Sequence, residues 1–585
     1  MQRQRLSRRD LMKMGLLSTG TFLTMPAERM YGRVSAFFDD QLRSPFLKPF
    51  VDALPTLEPL TPITRPAGIA PYALPYVGAG TQFYEFATAE RSVKFHHDLP
   101  STPVWAYVDP NATTAHTPER LITFKFPTPA DTLKDPTLKP AIVLGQPAGA
   151  GLLVRYHNDL TWAPRDFGYP TLTVHFHGGH QPAGADGFPH DIQNGAGGFP
   201  NPVTIKPGKY FDYMYPFRDV GFEDGPETRD ERPSFYWFHD HILDFTGPNV
   251  YRGLANLAPA FDDLDTGDEN TGLGLPSGDH DLPLVFQDKL FDIGGALIFD
   301  PFNGDGFLGD TFVVNGVVQP YHDVERRKYR LRFLNGSNAR IYQMFLTNDS
   351  GRSYPMTQIA TEGGLMAKPI PVQNFELYLA QRVEVVVDFA DPMFNDIAAT
   401  DKPFVYIENR MAQTDGRKPD GVQSQGPKLL RFRLSGKPVP TPPVPGMLRP
   451  LAKISDAELA AAERRSFKFD RSDGVFTVNG EPIDIDKKDV VPRNAGQLWH
   501  FQNDSGGWWH PNHVHSEFMR VIRRNGQPPP LNEADGMARK DTVVMRKNES
   551  VDVYIKFRDF TGPFVAHCHN IEHEDHAMMT RFDVE

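Results

Sequence analysis

The sequence predicts an all-β protein assembled from β-sandwich domains. Three observations carry that expectation. Several segments alternate apolar and polar residues with period two, among them Leu153-Val154-Arg155-Tyr156-His157-Asn158, Tyr329-Arg330-Leu331-Arg332-Phe333-Leu334-Asn335 and Gln497-Leu498-Trp499-His500-Phe501-Gln502-Asn503, the pattern of half-buried strands. Glycine (49) and proline (54) are abundant, as suits many short strands joined by turns. Helical patterning is scarce, which favours sandwiches over mixed folds.

The chain has 585 residues, too many for one hydrophobic core and enough for three or four domains. With 40% hydrophobic and 23% charged residues it is globular. A formal charge of -12 argues against nucleic acid or an anionic membrane surface as partner.

Residues 1–30 read as an export signal. Ser7-Arg8-Arg9-Asp10-Leu11-Met12-Lys13 resembles the twin-arginine pattern, and a mildly apolar stretch follows from Met14 to Met25. That stretch is short for a bilayer span, so a removable signal fits better than an anchor or a disordered basic tail. No sharp cleavage site is visible, which places processing between residues 25 and 35. The expected mature protein has no transmembrane anchor and resides in the periplasm or outside the cell.

The three alternating segments resemble one another, each ending in Asn before a polar or Gly residue. Phe312-Val313-Val314-Asn315-Gly316 is likewise echoed by Phe476-Thr477-Val478-Asn479-Gly480, a strand closing in an Asn-Gly turn. In both, the partner strand is expected 15–20 residues later. Three copies of a strand-rich unit suit this length. Residues 262–281 are acidic and Gly-rich, and residues 436–450 carry Pro438, Pro440, Pro442, Pro443, Pro445 and Pro450, the composition of a semi-rigid spacer. Ser455-Asp456-Ala457-Glu458 is a capping box that opens a helix to about Arg465. The divisions are therefore 31–260, 261–450 and 451–585.

Four His-x-His pairs stand out: His175/His177, His239/His241, His513/His515 and His567/His569. Twenty histidines would give about 0.7 such pairs by chance. Residues i and i+2 of a strand share a face, so each pair presents two imidazoles side by side. Any one histidine has an ordinary role available as a hydrogen-bonded core or surface residue; four pairs together point to a cluster of metal ions. The single cysteine, Cys568, cannot form an internal disulfide. In a strand it faces away from His567 and His569 and so belongs to a second site. His573, His510 and Met578 are its candidate partners. Two imidazoles, a thiolate and a thioether form a blue-copper ligand set, and zinc has no use for a long axial Met.

His175-Phe-His-Gly, Trp237-Phe-His-Asp-His, His510-Pro-Asn-His-Val-His and His567-Cys-His-Asn-Ile-Glu-His-Glu-Asp-His-Ala-Met resemble the four copper motifs of the multicopper oxidases. Gly178-Gly179, Asn249-Val250-Tyr251-Arg252-Gly253-Leu254 and His567-Cys-His-Asn are similar to the spore-coat laccase and bilirubin oxidase branch. The resemblance implies three cupredoxin-like Greek-key β-sandwich or barrel domains, and four copper ions with a cluster between the first and third domains. Carried over position by position, it implies a type 1 copper on His510, Cys568, His573 and Met578, and a type 2 copper on His175 and His513. The type 3 pair falls on His177, His239, His241, His515, His567 and His569.

The same resemblance implies electrons entering near His510 or His573 and crossing from Cys568 to the cluster, where dioxygen becomes water. Asp186, nine residues after His177, and Glu574 resemble the acids that supply protons there, although each has an ordinary reading as a loop or salt-bridge residue. Small phenols and aromatic amines are the expected reductants of a monomer. The alternatives are bilirubin-like pyrroles, cuprous, ferrous or manganous ions, and a non-enzymatic scaffold of the same fold. The 17 methionines are scattered, against a cuprous-ion role. Trp508 and Trp509 either pack beneath the type 1 site or line the substrate approach, with packing favoured.

Overall fold

The computed structural model describes residues 43–78, 80–110, 116–126, 151–162, 167–191, 203–216, 232–472, 474–531, 533–558 and 560–585. The export signal expected at 1–30 lies outside them. No helix among the described residues is long and apolar enough to cross a membrane.

Three pairs of sheets follow one another along the chain. In the first, Thr102–Val108, Thr81–Val93, Gly151–Asn158 and Tyr210–Pro216 form one sheet, and Phe124–Lys125, Ala255–Phe261, Phe235–Asp240 and Val174–His177 the other. A seven-stranded and a six-stranded sheet within 281–435 make the second pair, and two five-stranded sheets within 463–584 the third. Each pair closes over its own aromatic and β-branched core, as sandwich packing requires.

The three alternating segments are equivalent strands. Gly151–Asn158, Lys328–Asn335 and Gly496–Asn503 each run parallel to the strand that opens their unit: Thr81–Val93, Asp281–Lys289 and Glu463–Ser472. Their terminal asparagines are buried and do the same work. The Asn158 amide donates to the carbonyls of Pro170 and Ile205 and its oxygen accepts from Leu160 N. Asn335 serves Arg340, Leu377 and Ser337 N. Asn503 serves Trp508, Met545, Arg546 and Ser505 N. Each side chain thus satisfies backbone groups that the departing strand would leave unpaired inside the core.

Two expectations need correction. The Asn-Gly turns do not wait 15–20 residues for a partner. Asn315 and Asn479 take positive φ (48° and 55°), as do Gly316 and Gly480, so the chain reverses at once and Val317–Val318 pairs back on Thr311–Val314. The strand 15–20 residues on lies in the same sheet, separated by the unit's opening strand. The capped helix is also shorter: Ser455 Oγ accepts from Glu458 N, but the helix spans Asp456–Ala461. Arg464 and Arg465 are claimed by the parallel ladder with Leu498 and Trp499, which overrides helix propensity.

Residues 262–281 and 436–450 are docked on the second unit. Leu275 and Leu448 are buried in one cluster, with Leu273 and Val444 against it. Asp262 is ion-paired with Arg449, and Asp265 forms a two-pronged pair with Arg330 at 2.9 and 2.7 Å.

Candidate metal centre

Two antiparallel ladders bring the histidine pairs together. In the first unit Val174–His177 lies beside Phe235–Asp240 with His175 opposite His239. In the third, His510–Val514 lies beside Gly562–Cys568 with His513 opposite His567 and Asn512 opposite Cys568. His241, His515 and His569 follow immediately beyond their strands. All eight imidazoles are buried and fall into three groups: His175, His177 and His513; His177, His239 and His569; and His241, His515 and His567. Cys568 faces the other way and meets His510 and His573 in a fourth group.

The neighbours of these rings fix which nitrogen is free. His175 Nδ1 donates to the Asp186 carbonyl (2.6 Å), His239 Nδ1 to the Asp240 carbonyl (2.8 Å) and His513 Nδ1 to the Asp541 carbonyl (2.7 Å). His515 Nδ1 donates to Asp186 Oδ2 (2.7 Å). Glu574 sits between His241 Nδ1 (3.3 Å) and His567 Nδ1 (3.0 Å). Those six rings keep Nε2 for the interior. His177 is reversed: Nε2 lies 3.3 Å from Asp541 Oδ1, and Nδ1 has no hydrogen-bond partner. Neither nitrogen of His569 has one. Anchoring one imidazole nitrogen so that the other ligates is the arrangement metal sites use.

The unanchored atoms face one another. His241 Nε2 and His515 Nε2 are each 3.2 Å from His567 Nε2, and His175 Nε2 is 3.3 Å from His513 Nε2. In the fourth group His510 Nδ1 lies 3.3 Å from Cys568 Sγ and 3.3 Å from His573 Nδ1, which is 3.6 Å from the sulfur. Lone pairs converging in a dry interior repel unless a cation lies between them. Burial holds most of these imidazoles neutral, lowering His239 and His510 to about 3 and His241 to about 4. Burial also pushes the Cys568 thiol up, so its thiolate form calls for a bound cation. This donor set fits copper.

Met578 is buried in the same core cluster as Cys568, and its carbonyl accepts from Cys568 N (3.1 Å). Asp186 is buried, and burial raises its pKa well above the carboxylate range against the opposing hydrogen bond from Gln181 (2.9 Å). Burial would raise Glu574 as well, but the imidazoles of His567 and His241 outweigh it and hold the carboxylate at about 2. The two acids are therefore pushed in opposite directions, Asp186 toward its neutral form by burial and Glu574 toward its carboxylate by the neighbouring imidazoles.

Neither His510 nor His573 reaches the surface, contrary to the expected entry point. His510 Nε2 is engaged by Ser505 Oγ (2.7 Å), and His573 Nε2 donates to the Asp305 carbonyl (3.3 Å). Trp508 and Trp509 are half-buried. Trp508 packs edge-on against Phe476, and Trp509 lies near Tyr378 under Arg546.

Asp541, Arg382, Gln181, Ser505 and Asp305 have no signature in the sequence. The nearest thing to a signal is a charged residue opening an apolar run, as in Asp541-Thr542-Val543-Val544-Met545 and Arg382-Val383-Glu384-Val385-Val386-Val387.

Comparison with known proteins agrees with this geometry. The multicopper oxidase family profile matches residues 452–585. A laccase of Haloferax volcanii is 31% identical, over 93% of this chain and 86% of its own. The bilirubin oxidase of Albifimbria verrucaria is 29% identical over 76% and 71%. The McoA multicopper oxidase of Aquifex aeolicus superposes with a TM-score of 0.66 at 24% identity, covering 86% of this chain and 96% of that one, and so shares the fold. The chain belongs to the multicopper oxidase family, copper-dependent oxidoreductases that use oxygen.

Proposed function

We propose that the protein is a laccase-like oxidase that holds four copper ions and couples one-electron oxidation of phenols or aromatic amines to reduction of dioxygen to water. The observation that carries this is the convergence of eight buried, mostly pre-anchored imidazoles beside a separate Cys568, His510 and His573 site. In this reading His510, Cys568, His573 and Met578 hold the type 1 ion and His175 and His513 the type 2 ion. His177, His239 and His569 hold one type 3 ion, and His241, His515 and His567 the other. Copper supplies reversible one-electron chemistry at the first site and dioxygen reduction at the rest.

The chain's own residues do the remaining work. The backbone between Cys568 and its neighbours His567 and His569 is the short covalent path joining the two sites. Asp186, whose neutral form burial favours, would supply a proton beside the ions, and Glu574, between His241 Nδ1 and His567 Nδ1, orients those rings. Support for the aromatic donor comes from relatives named laccase and bilirubin oxidase. A Campylobacter jejuni multicopper oxidase of the same fold is a metallo-oxidase, which keeps metal-ion donors as the second reading. The twin-arginine pattern at Arg8-Arg9 supports export to the periplasm, testable by location in a host lacking that pathway.

Metal analysis, visible spectroscopy and oxygen uptake with a simple phenol test the assignment. Four coppers per chain, an intense blue band and uptake are expected. A correctly folded, colourless protein that consumes no oxygen would overturn it.

A further inference from the structure

Resting on the copper reading of the Cys568 site, one buried polar side chain beside it is left without an evident partner. Asn512 lies between His510 and His513 on the strand His510–Val514 and is fully buried. Neither its Oδ1 nor its Nδ2 has a hydrogen-bond partner. A side-chain amide offers two donors and an acceptor oxygen, and leaving all of them unpaired in a dry interior costs stability. The buried asparagines that close the three equivalent strands behave differently: Asn158, Asn335 and Asn503 all donate to backbone carbonyls. An apolar side chain at 512 would fill the same space without the cost.

The ladder between His510–Val514 and Gly562–Cys568 settles what Asn512 faces. It stands directly opposite Cys568. His569 N donates to the Pro511 carbonyl at 2.6 Å, so the hydrogen-bonded positions of this ladder fall at 511 and 513. Asn512 and Cys568 therefore form the alternate, non-bonded kind of pair, in which Cα atoms approach to about 4.5 Å and side chains lie closest. The two side chains leave the sheet on the same face, as do those of His510 and Val514 on either side of Asn512. Val514 packs in one core with Cys568 and Met578. The sulfur itself accepts from Asn570 N at 3.4 Å, and the Cys568 N–H is spent on the Met578 carbonyl at 3.1 Å.

We propose that Asn512 is a positioning residue of the type 1 site: its amide turns an N–H toward the Cys568 thiolate and so raises the reduction potential of the ion that the thiolate holds. A neutral thiol gives the amide little reason to turn, whereas a thiolate is a strong acceptor for it. The sulfur is most electron-rich when the site is reduced, so the positive end of a dipole beside it favours the reduced form. Water is excluded from this core, which leaves the dipole's field unscreened. The unpaired amide is thus held in the apolar core for the charged form of its neighbour.

The test is the potential of the blue site in the copper-loaded protein, read by titrating its absorption band against a redox buffer. Asn512→Leu, apolar and of similar size, should keep the band and the copper content. At a fixed buffer potential its ratio of reduced to oxidised sites should fall about tenfold, or about 59 mV for one electron. The copper–sulfur stretching frequency should rise as the sulfur regains electron density for the metal. Asn512→Val and Asn512→Thr match in shape and differ by a hydroxyl donor, so Asn512→Thr should have the higher potential. Equal potentials in wild type and Asn512→Leu, the result expected of an amide that merely holds a buried water, would overturn the proposal. Equal potentials in Asn512→Val and Asn512→Thr would overturn it too, by assigning the effect to packing. Wild-type protein with no blue band would sink the copper reading and this role with it; a blue protein whose potential does not move sinks the role alone.

Discussion

Arg382 and Asp541 form a two-pronged ion pair, at 3.2 and 2.6 Å, between the second and third units. Both side chains are buried. The same aspartate reaches His177 with its carboxylate and His513 with its carbonyl, so one arginine from the second unit steadies two of the clustered imidazoles. The chain makes room for it at Gly178, where φ is +84° and a Cβ would lie 2.4 Å from Arg382 NH2.

Arg382→Met should therefore be costly. It leaves a buried carboxylate uncompensated, a loss of about 3–5 kcal/mol. Copper occupancy of the cluster should fall while the blue band persists, as read by metal content and absorbance on the same sample. Full occupancy with wild-type thermal stability would remove this pair from the account.

Asp186→Asn keeps the shape of the side chain and removes the acid. Reoxidation of the fully reduced enzyme by dioxygen should slow about a hundredfold or more, with the blue band unaltered. Stopped-flow mixing with oxygen reads this directly, and an unchanged rate would exclude Asp186 as the proton source.

Cys568→Ser should fold, keep copper at the histidine cluster, lack the blue band and oxidise nothing. Anaerobic addition of a phenol should leave the cluster oxidised. Turnover by this variant would mean that electrons bypass the sulfur.

Lys289 offers a test of the protein's electrostatics away from the copper ligands. Burial lowers its pKa from 10.5 to about 7, against the opposing pull of Asp288, and its ammonium donates to the Tyr251 carbonyl at 2.5 Å. Between pH 7 and 10 the unfolded chain binds a proton here that the folded chain does not, so this group's contribution makes stability rise with pH, by about 1.4 kcal/mol per unit at most. The melting temperature of Lys289→Met relative to wild type should accordingly be higher at pH 7 than at pH 9. A difference independent of pH would show that Lys289 stays charged inside the fold.

The ligands were legible in the sequence because strands repeat every two residues, so each His-x-His pair announces a shared face without knowledge of the fold. Cys568 was legible for the converse reason. What supports those ligands was not. Arg382 and Asp541 are 159 residues apart and Asp305 and His573 268 apart, and nothing periodic links them. The enclosure of His573 has no signature in the sequence either, because the second unit contributes the Asp305 carbonyl to it. The Asn-Gly turns are legible as turns, but sheet order is set by which strands share a core, which turn chemistry does not specify.

The asparagines that close the three equivalent strands bear on how the protein ages. Asn335 precedes Gly336, the dipeptide whose side-chain amide is most readily attacked by the following backbone nitrogen and lost as ammonia. That attack needs a side chain free to swing, and the Asn335 amide is held by Arg340 and Leu377 while its oxygen is held by Ser337. Asn479 and Asn525 also precede glycines in exposed turns; Asn479 is held at both ends of its amide, by Lys468 N and the Ser466 carbonyl, whereas Asn525 is held only through its oxygen, by Ser550 N. Peptide mapping after alkaline storage should find more succinimide and aspartate at Asn525 than at Asn335 or Asn479, so that of these three sites chemical wear begins at an exposed hairpin of the third unit and leaves the core of the second untouched.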